Sequence, residues 1–245
     1  SSYATLSDTE KELGVVLVDI GGGTTDIAIF IEGALSYSSV IPIGAINITK
    51  DIAAGLRISL ESAEKIKIAL SVSPRNAVLP QDEEGYEQRK KLTDKDDEVD
   101  LSHLGLPEEM RSVSKKTLID GIVRPRLNEI FTMVGLEIKR SGFGGVTPSG
   151  IVLTGGGALT IGAVEAARRN LAMPVRIGVP GKISGLIDEI VSPAFATSVG
   201  LLLYGIKMGK TENTGGLSAW TRFGGKIQVK GIAGKVIDLV KSFLP

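Results

Sequence analysis

The sequence has no cysteine, a single histidine (His103) and few aromatic residues, which make up 4% of its 245 positions. Without cysteine the chain can form no disulfide, no thiol nucleophile and no Cys/His zinc site. Such a composition fits a reducing compartment. Because aromatic side chains are scarce, aliphatic residues must form most of the core.

The chain also lacks an excess of charge of either sign and a long apolar run. Its formal net charge is zero, which argues against a general nucleic-acid binder, because such proteins need a basic face to neutralise phosphates. No apolar run reaches the roughly 18–20 residues of a membrane-spanning helix, and the first residues do not resemble a signal peptide. Since the sequence starts at Ser1 rather than Met, we expect it to be a piece of a longer protein.

The residues that are present predict an α/β protein. The hydrophobic fraction of 42% and the charged fraction of 23% are those of a globular chain. Runs of β-branched and aliphatic residues bounded by glycines predict buried strands, and stretches with helical apolar spacing lie between them. The predicted strands are 14–20, 25–31, 33–43, 150–154 and 175–178. The predicted helices are 44–56, 59–70, 113–140 with a kink at Pro125, 161–171 and 193–205.

The most informative stretch lies between the first two predicted strands and reads Asp-Ile-Gly-Gly-Gly-Thr-Thr-Asp over residues 19–26. Glycines in a hairpin turn let backbone N–H groups close on an anion with no Cβ in the way. A hydroxyl of the same turn can join them, and an acid at the strand end can hold Mg²⁺ through water. A plain glycine hairpin would explain the glycines alone, but acids and threonines in register favour a phosphate site. The candidate nucleotide-binding residues are Asp19, Gly21, Gly22, Gly23, Thr24 and Thr25, with Asp19 as the metal ligand.

Two further segments can contribute to a nucleotide site. Gly155, Gly156 and Gly157 follow a predicted strand and precede a helix, where the backbone can approach a flat ligand and the helix N-terminus favours an anion. Glu64 and Lys67 are three positions apart and share one face of a helix. Taken alone, this spacing usually indicates an exposed surface ion pair, which contributes little to the stability of the fold.

These three motifs, in this order, resemble those of the actin, sugar-kinase and heat-shock-chaperone ATPases. The resemblance implies that the first glycine turn holds phosphates, that Glu64, Lys67 and Ser71 meet the ribose and base, and that residues 155–157 form the adenosine loop. It also implies that the chain is one half of an α/β protein with the actin-like ATPase (ribonuclease H-like) fold. This half would have a mixed sheet flanked by helices and an inserted α/β outer subdomain. ATP and Mg²⁺ are the implied ligands, with at most slow hydrolysis.

Segments near residues 4, 41–42, 175–178 and 193–205 narrow the resemblance to the C-terminal half of FtsA, the bacterial cell-division actin homologue. It implies that the outer subdomain receives the C-terminal tail of FtsZ. Arg126 matches a basic position of that site, and Arg124 is a neighbouring candidate. The implied divisions are a core subdomain (1–48 and 150–206), an inserted outer subdomain (49–149), a flexible linker (207–231) and a membrane-targeting helix (232–245). The segment 81–100 has nine acidic and four basic residues, is interpreted as a solvated hairpin or loop, and receives no function.

The predicted last helix has two unlike faces. At 100° per residue its apolar side chains fall on an arc of about 160°, with Lys235 and Lys241 on the other side. Residues 207–245 carry seven Lys/Arg and two Asp/Glu, a local net charge of +5. A buried surface helix shows the same split, but the terminal position after a linker and the positive charge favour an anionic membrane surface. The membrane-facing set is Val236, Ile237, Leu239, Val240, Phe243 and Leu244, with Lys235 and Lys241.

The sequence leaves three functions open. The first is an ATP-binding division protein that polymerises and anchors FtsZ filaments, as a peripheral protein on the cytoplasmic face of the membrane at the division site. A PilM-like adaptor of type IV pilus assembly would have similar loops but does not generally carry the terminal helix. A sugar or acetate kinase would need a substrate-binding half that is absent here. Because this chain carries only one side of the nucleotide site, we expect it to bind nucleotide poorly by itself.

Overall fold

The computed structural model describes residues 1–71, 97–108, 110–181 and 190–212. Ser1–Tyr204 form one compact unit, and a second unit, Gly205–Pro245, is described only as far as residue 212. The predicted helix 232–245 lies outside the described residues. So does the charged segment 81–100, apart from its last four positions.

Groups of strands and groups of helices follow one another along the chain, and the short helices at residues 2–5 and 8–13 and the strands at 98–100 and 112–114 are additional to the predicted elements. Glycine or serine residues mark most boundaries, and Ser59 caps a helix by accepting a hydrogen bond from the Ser62 N–H. In chain order the elements are α1 (Ser2–Thr5), α2 (Asp8–Leu13), β1 (Val15–Ile20), β2 (Thr25–Ile31), β3 (Ala34–Ile41), α3 (Ala45–Leu56), α4 (Leu60–Leu70), β4 (Glu98–Asp100), β5 (Ser112–Ser114), α5 (Arg124–Ser141), β6 (Ile151–Thr154), α6 (Ala163–Leu171), β7 (Val175–Ile177) and α7 (Ala196–Glu212).

A mixed five-stranded sheet with the order β3-β2-β1-β6-β7 forms the centre of the first unit. β1, β2 and β3 are antiparallel neighbours, whereas β6 and β7 run parallel to β1. β1 is therefore the strand with an antiparallel neighbour on one side and a parallel neighbour on the other. Its residues are buried except for the half-buried Asp19, which agrees with the uninterrupted apolar run that predicted it.

The larger part of the core lies on one face of the sheet. Val16, Val18 and Ile20 of β1 point to this face and join fully buried residues of α3 and α5. The same cluster includes Leu101 and Leu118, which belong to the predicted outer subdomain. Because one cluster runs through both regions, the division at residues 48 and 149 is not marked by a break in packing and stays a prediction.

The opposite face of the sheet carries a smaller cluster of Leu6, Val15, Leu17 and Val152. α2 packs beside it and begins with a capping box, in which the Ser7 hydroxyl accepts from the Glu10 N–H and the Glu10 carboxylate accepts from the Ser7 N–H. Glu10 also accepts from Arg176 of β7, with both nitrogen–oxygen distances 2.7 Å. One carboxylate thus ties the chain's second helix to the last strand of the sheet.

Glu10 gives this contact a pH dependence. Partial burial acts to raise its pKa, but the hydrogen bonds from Arg176 and Ser7 outweigh burial and lower the pKa from 4.5 to about 2. A depressed carboxyl pKa contributes stability that is full above the unfolded value and is lost as pH falls through the folded value. We expect Glu10→Gln to lower the urea midpoint at pH 7, and the gap to wild type to close between about pH 4.5 and pH 2.

Asp8→Asn is the matched control, because Asp8 lies in the same helix but its side chain is 93% exposed in its pair with Lys11. An exposed pair of this kind contributes little, so its urea midpoint should stay close to wild type at every pH. A gap for Glu10→Gln that does not change with pH would contradict the assignment to ionisation.

The predicted helix 113–140 is wrong at its start. Residues 112–114 form β5, which pairs with β4, and Lys116–Val123 form a π-helical segment before α5 begins at Arg124. The Arg124 N–H donates to the Ile119 carbonyl, five residues back. Pro125 follows directly, where the π-helical segment continues into α5 with helical backbone on both sides of the junction. Because proline has no N–H to donate, it lies at this change of hydrogen-bond pattern, and the kink itself stays a prediction.

Two other boundaries differ from the sequence prediction. A short 3₁₀ turn, Pro193–Phe195, precedes α7, which continues to Glu212 rather than ending at 205. Residues 207–212, interpreted as the start of a linker, are therefore helical. The remainder of that predicted linker lies outside the described residues.

Candidate nucleotide-binding site

The two glycine turns predicted from the sequence lie side by side. β1 and β6 are parallel, with Asp19 paired with Thr154, so the turns that follow them emerge at the same edge of the sheet. From this edge β1 leads to β2 on one side, and β6 leads through α6 to β7 on the other. In open α/β sheets such a switch point is where ligands bind, outside the carboxyl ends of the strands.

Gly155 fits between the two turns only because it has no side chain. Its φ is +82°, and a Cβ at this position would lie 2.4 Å from Asp19 Oδ1 and 2.5 Å from the Ile20 carbonyl oxygen. Gly157 is equally close to Ile20, whereas Gly156 is exposed. The second turn is therefore packed directly on the end of β1.

The first turn is fixed by the N-terminus of α3. The Gly21 and Gly22 carbonyls accept hydrogen bonds from the Ala45 and Ile46 N–H groups at 2.9 and 2.8 Å. The Gly21 N–H donates to the Thr24 backbone carbonyl at 2.9 Å. Gly44 precedes α3, and a Cβ there would lie 2.6 Å from the Gly22 oxygen. Gly22, Gly23 and Thr24 are exposed. A Cβ on Gly22 or Gly23 would meet no atom within 4 Å, so backbone is accessible along this turn.

Acidic side chains stand beside the turns. Asp19 Oδ2 accepts from the Thr197 hydroxyl of α7 at 3.0 Å, and Asp26 lies opposite Asp19 on β2. The Thr24 hydroxyl donates to Asp26 Oδ2 at 3.3 Å. Thr25, in contrast, is fully buried, and its hydroxyl donates to the Ile43 carbonyl at 2.8 Å. The hydroxyl therefore stabilises the packing beneath the turn and is not available to a ligand.

Glu64 and Lys67 form a partly buried cluster with Thr49 rather than an exposed pair. The Lys67 ammonium is 2.7 Å from Glu64, 2.9 Å from the Thr49 hydroxyl and 3.4 Å from the Ala45 carbonyl, and its side chain is only 10% exposed. These partners use the three N–H groups of the ammonium. Burial acts to raise the Glu64 pKa, but Lys67 and Thr49 outweigh it and lower the pKa.

Because Ala45 also bonds Gly21, the structure brings Lys67 next to the first turn through α3. Glu64, with a side chain 41% exposed, is the member of the pair open to a ligand. Ser71 ends α4, and its hydroxyl donates to the Lys67 carbonyl at 2.9 Å. A direct ligand contact by Lys67 would require one of its present bonds to be given up.

The candidate partner residues lie at the start of α5. Arg126 donates from Nε and Nη2 to the two oxygens of Asp51 at 2.6 and 2.8 Å, and from Nη1 to Glu129. The Asp51 hydrogen bond is the main reason that the pKa of Arg126 is raised. Arg124 pairs with Asp120 at 2.8 Å and is more exposed. Both arginines are thus paired within the chain.

Comparison with known proteins identifies the family. A family model described as Cell division protein FtsA matches residues 16–200. The chain belongs to the FtsA family. It is 43% identical over 207 residues to Cell division protein FtsA of Pseudomonas aeruginosa, covering 84% of this chain and 46% of that protein. It is 41% identical over 203 residues to that of Neisseria meningitidis, covering 82% and 45%. This FtsA-family chain therefore spans about half the length of the curated relatives it matches.

The fold prediction is confirmed at the level of architecture. MreB5 of Spiroplasma citri, solved bound to ADP, superposes with a TM-score of 0.58 at 19% identity, covering 84% of this chain and 57% of that one. At this identity the likeness shows the fold alone. The FtsA-family chain has the actin-like ATPase fold, with the mixed sheet and flanking helices that the motifs implied.

The predicted membrane-facing residues lie outside the described part of the chain. Within the ranges that the structure describes, no helix combines the length and the apolar character needed to cross a membrane.

Sequence reasoning missed three residues that shape the site: Gly44, Thr49 and Thr197. Thr49 follows Ala45 by one helical turn and bridges Lys67 and Glu64, but a threonine within a helix carries no signal of that role. Thr197 is remote in sequence from Asp19, so only the fold places the two together. A close backbone contact at Gly44 could have been predicted, because this glycine lies between a strand and the first residue of a helix.

Proposed function

We propose that the two glycine turns and Asp19 form one side of an Mg–ATP site. The observation that carries this proposal is the packing of the second turn against Asp19 at the shared edge of β1 and β6. Exposed glycine backbone along Gly22 and Gly23 suits an anion, and the half-buried Asp19 carboxylate suits a hydrated Mg²⁺. The ADP-bound MreB5 structure supports a nucleotide as the ligand of this fold.

The residues present fit such a ligand, and each has a separate task. The backbone of residues 22–24 binds phosphate oxygens, while Thr197 holds the Asp19 carboxylate in place. Glu64, Ser71 and the Gly155–Gly157 turn, through its exposed Gly156, face the nucleoside, and Lys67 fixes the Glu64 side chain through their ion pair. When bound, Mg–ATP would contact both this half of the protein and a second half, and a ligand that binds the closed state better shifts the population toward that state.

At the level of the whole protein we infer the function named for its relatives, cell division. The match to the FtsA family favours this role over a PilM-like adaptor or a sugar or acetate kinase. The chain would act within an ATP-binding filament that binds the FtsZ tail through Arg126 and Arg124. It would anchor FtsZ at the cytoplasmic face of the membrane through residues 232–245. ATP serves mainly as a ligand that controls conformation and assembly, with slow hydrolysis at most.

Removal of residues 233–245 from the full-length protein tests the tether. We expect binding to vesicles of anionic phospholipid, measured by sedimentation, to be lost, with ATP affinity measured by calorimetry unchanged. A short amphipathic helix binds lipid through its apolar face and its cations, and a polymer multiplies that weak contact. Vesicle binding that survives the deletion would disprove the tether, and phosphorylation of a sugar by the protein would disprove the division role.

A pair of single changes separates the apolar contribution from general charge effects. Leu239→Asp places a carboxylate on the apolar side of the predicted helix, and Ser242→Asp places the same charge on the polar side. We expect the first to abolish sedimentation with vesicles and the second only to weaken it. Equal effects of the two would contradict an amphipathic helix lying on the membrane.

A further inference from the structure

Arg126 is occupied by carboxylates of its own chain. Both oxygens of Asp51 accept from its Nε and Nη2, and Glu129 accepts from Nη1. All three guanidinium nitrogens are therefore engaged, and the arginine side chain is only 24% exposed. The group of three carries a net negative charge, so an acidic peptide meets repulsion until a carboxylate moves away.

The two carboxylates belong to different elements. Glu129 lies one turn along α5 from Arg126, so it moves with the arginine. Asp51 lies on α3 and reaches Arg126 across a helix–helix contact. Only the Asp51 bond can therefore change when α3 shifts relative to α5.

α3 is also the helix that holds the first glycine turn. Its Ala45 and Ile46 N–H groups bind the Gly21 and Gly22 carbonyls, and Asp51 follows Ile46 by about 7 to 8 Å of helix rise. The helix is packed tightly at its N-terminal end, because a Cβ on Gly44 would strike the Gly22 backbone, and near its other end Gly55 lies beside the Ile122 side chain. Ile48 and Ile52 fix it in the core between these points. A displacement of the turn is therefore passed to Asp51 by a rigid element.

We propose that Asp51 competes with acidic partners for Arg126, and that α3 couples this competition to nucleotide occupancy of the glycine turn. The inference rests on the proposed nucleotide and FtsZ-tail sites and adds a regulatory link between them. Such a coupling is reciprocal, so partner binding at Arg126 also changes nucleotide affinity.

Fluorescence anisotropy with a labelled peptide of the FtsZ C-terminal tail tests the link in the full-length protein. Peptide affinity is measured with and without Mg–ATP for wild type, Asp51→Asn and Glu129→Gln. We expect each variant to bind the peptide about tenfold more tightly, because each loses one competing charged hydrogen bond. Affinity should differ between the two nucleotide states in wild type and Glu129→Gln, but not in Asp51→Asn.

Glu129→Gln is the matched control, since it removes the same charge from the same arginine but leaves the connection to α3 intact. A nucleotide dependence that persists in Asp51→Asn, or one absent from wild type, would overturn the coupling. A second readout needs no peptide: the Arg126 Nε–H proton resonance should shift with Mg–ATP in wild type and not in Asp51→Asn. If no peptide binds any of the three proteins, the FtsZ-tail site is wrong, and the Nε–H resonance alone decides the link.

Discussion

Asp19→Asn is expected to weaken Mg–ATP binding to the full-length protein by roughly tenfold to a hundredfold, while leaving its affinity for ATP in EDTA nearly unchanged. The substitution removes the charge that would hold a hydrated Mg²⁺, and hydrogen bonds to charged groups contribute about 1.5–3 kcal/mol. Asparagine keeps an oxygen that can accept from Thr197, so α7 should stay in place. Calorimetric titration with and without the metal measures both affinities.

Asp26→Asn is the control for this experiment. Asp26 lies opposite Asp19 in the β1–β2 pairing and borders the same shallow depression of about 310 Å³ on the sheet. It carries the same charge but accepts from the Thr24 hydroxyl, whereas Asp19 accepts from Thr197 and lies against Gly155. We expect a loss of affinity several times smaller than for Asp19→Asn. Equal losses would show that general negative potential, rather than a metal ligand, accounts for the effect.

Gly44→Ala should lower both the stability of the protein and its affinity for ATP. The backbone at Gly44 is extended, with φ −153°, so alanine suffers no conformational strain there. Its Cβ would nevertheless lie 2.6 Å from the Gly22 oxygen and 2.8 Å from the Gly21 oxygen, which are backbone atoms that cannot rotate away. Overpacking of this kind costs about 1–3 kcal/mol, which urea unfolding can measure. ATP affinity should fall because α3 no longer holds the turn in place.

Gly23→Ala separates the two effects. A Cβ on Gly23 would meet no atom within 4 Å, and Gly23 is not in the left-handed region, so the free energy of unfolding should stay within about 0.5 kcal/mol of wild type. If the turn closes on phosphate, ATP affinity should still fall, since the methyl group lies on the accessible side. A stable Gly44→Ala variant with normal ATP affinity would contradict the close contact between α3 and the turn.

The central sheet and both glycine turns could be predicted from the sequence because their signals are local. β1 reads as an apolar run ending in Asp19 and glycines, and β2 resumes directly after the turn. The capping serine of α4, Ser59, is equally visible in the sequence. Such features are determined by residues a few positions apart in the chain, so a single sequence contains the information needed to predict them.

What the sequence could not predict depends on contacts between distant segments. Glu64 and Lys67 look like a surface pair, and only the position of α3 shows that Lys67 is buried against Ala45 and Thr49. β5 is three residues long and exists because it pairs with β4, so the sequence alone places its last two residues in the following helix. The π-helical segment likewise has helical spacing in sequence and differs only in which carbonyl each N–H reaches.

The position of β1 in the middle of the sheet has a consequence for conformational entropy. Strands at an edge or near a terminus open at little cost, whereas a strand with ladders on both sides opens only with the surrounding structure. Asp19 and the last residues before both turns are therefore already ordered when a ligand arrives. Ligand binding therefore reduces the conformational entropy of only a few glycines and side chains. The conformational entropy of the other residues at the site was already lost when the chain folded.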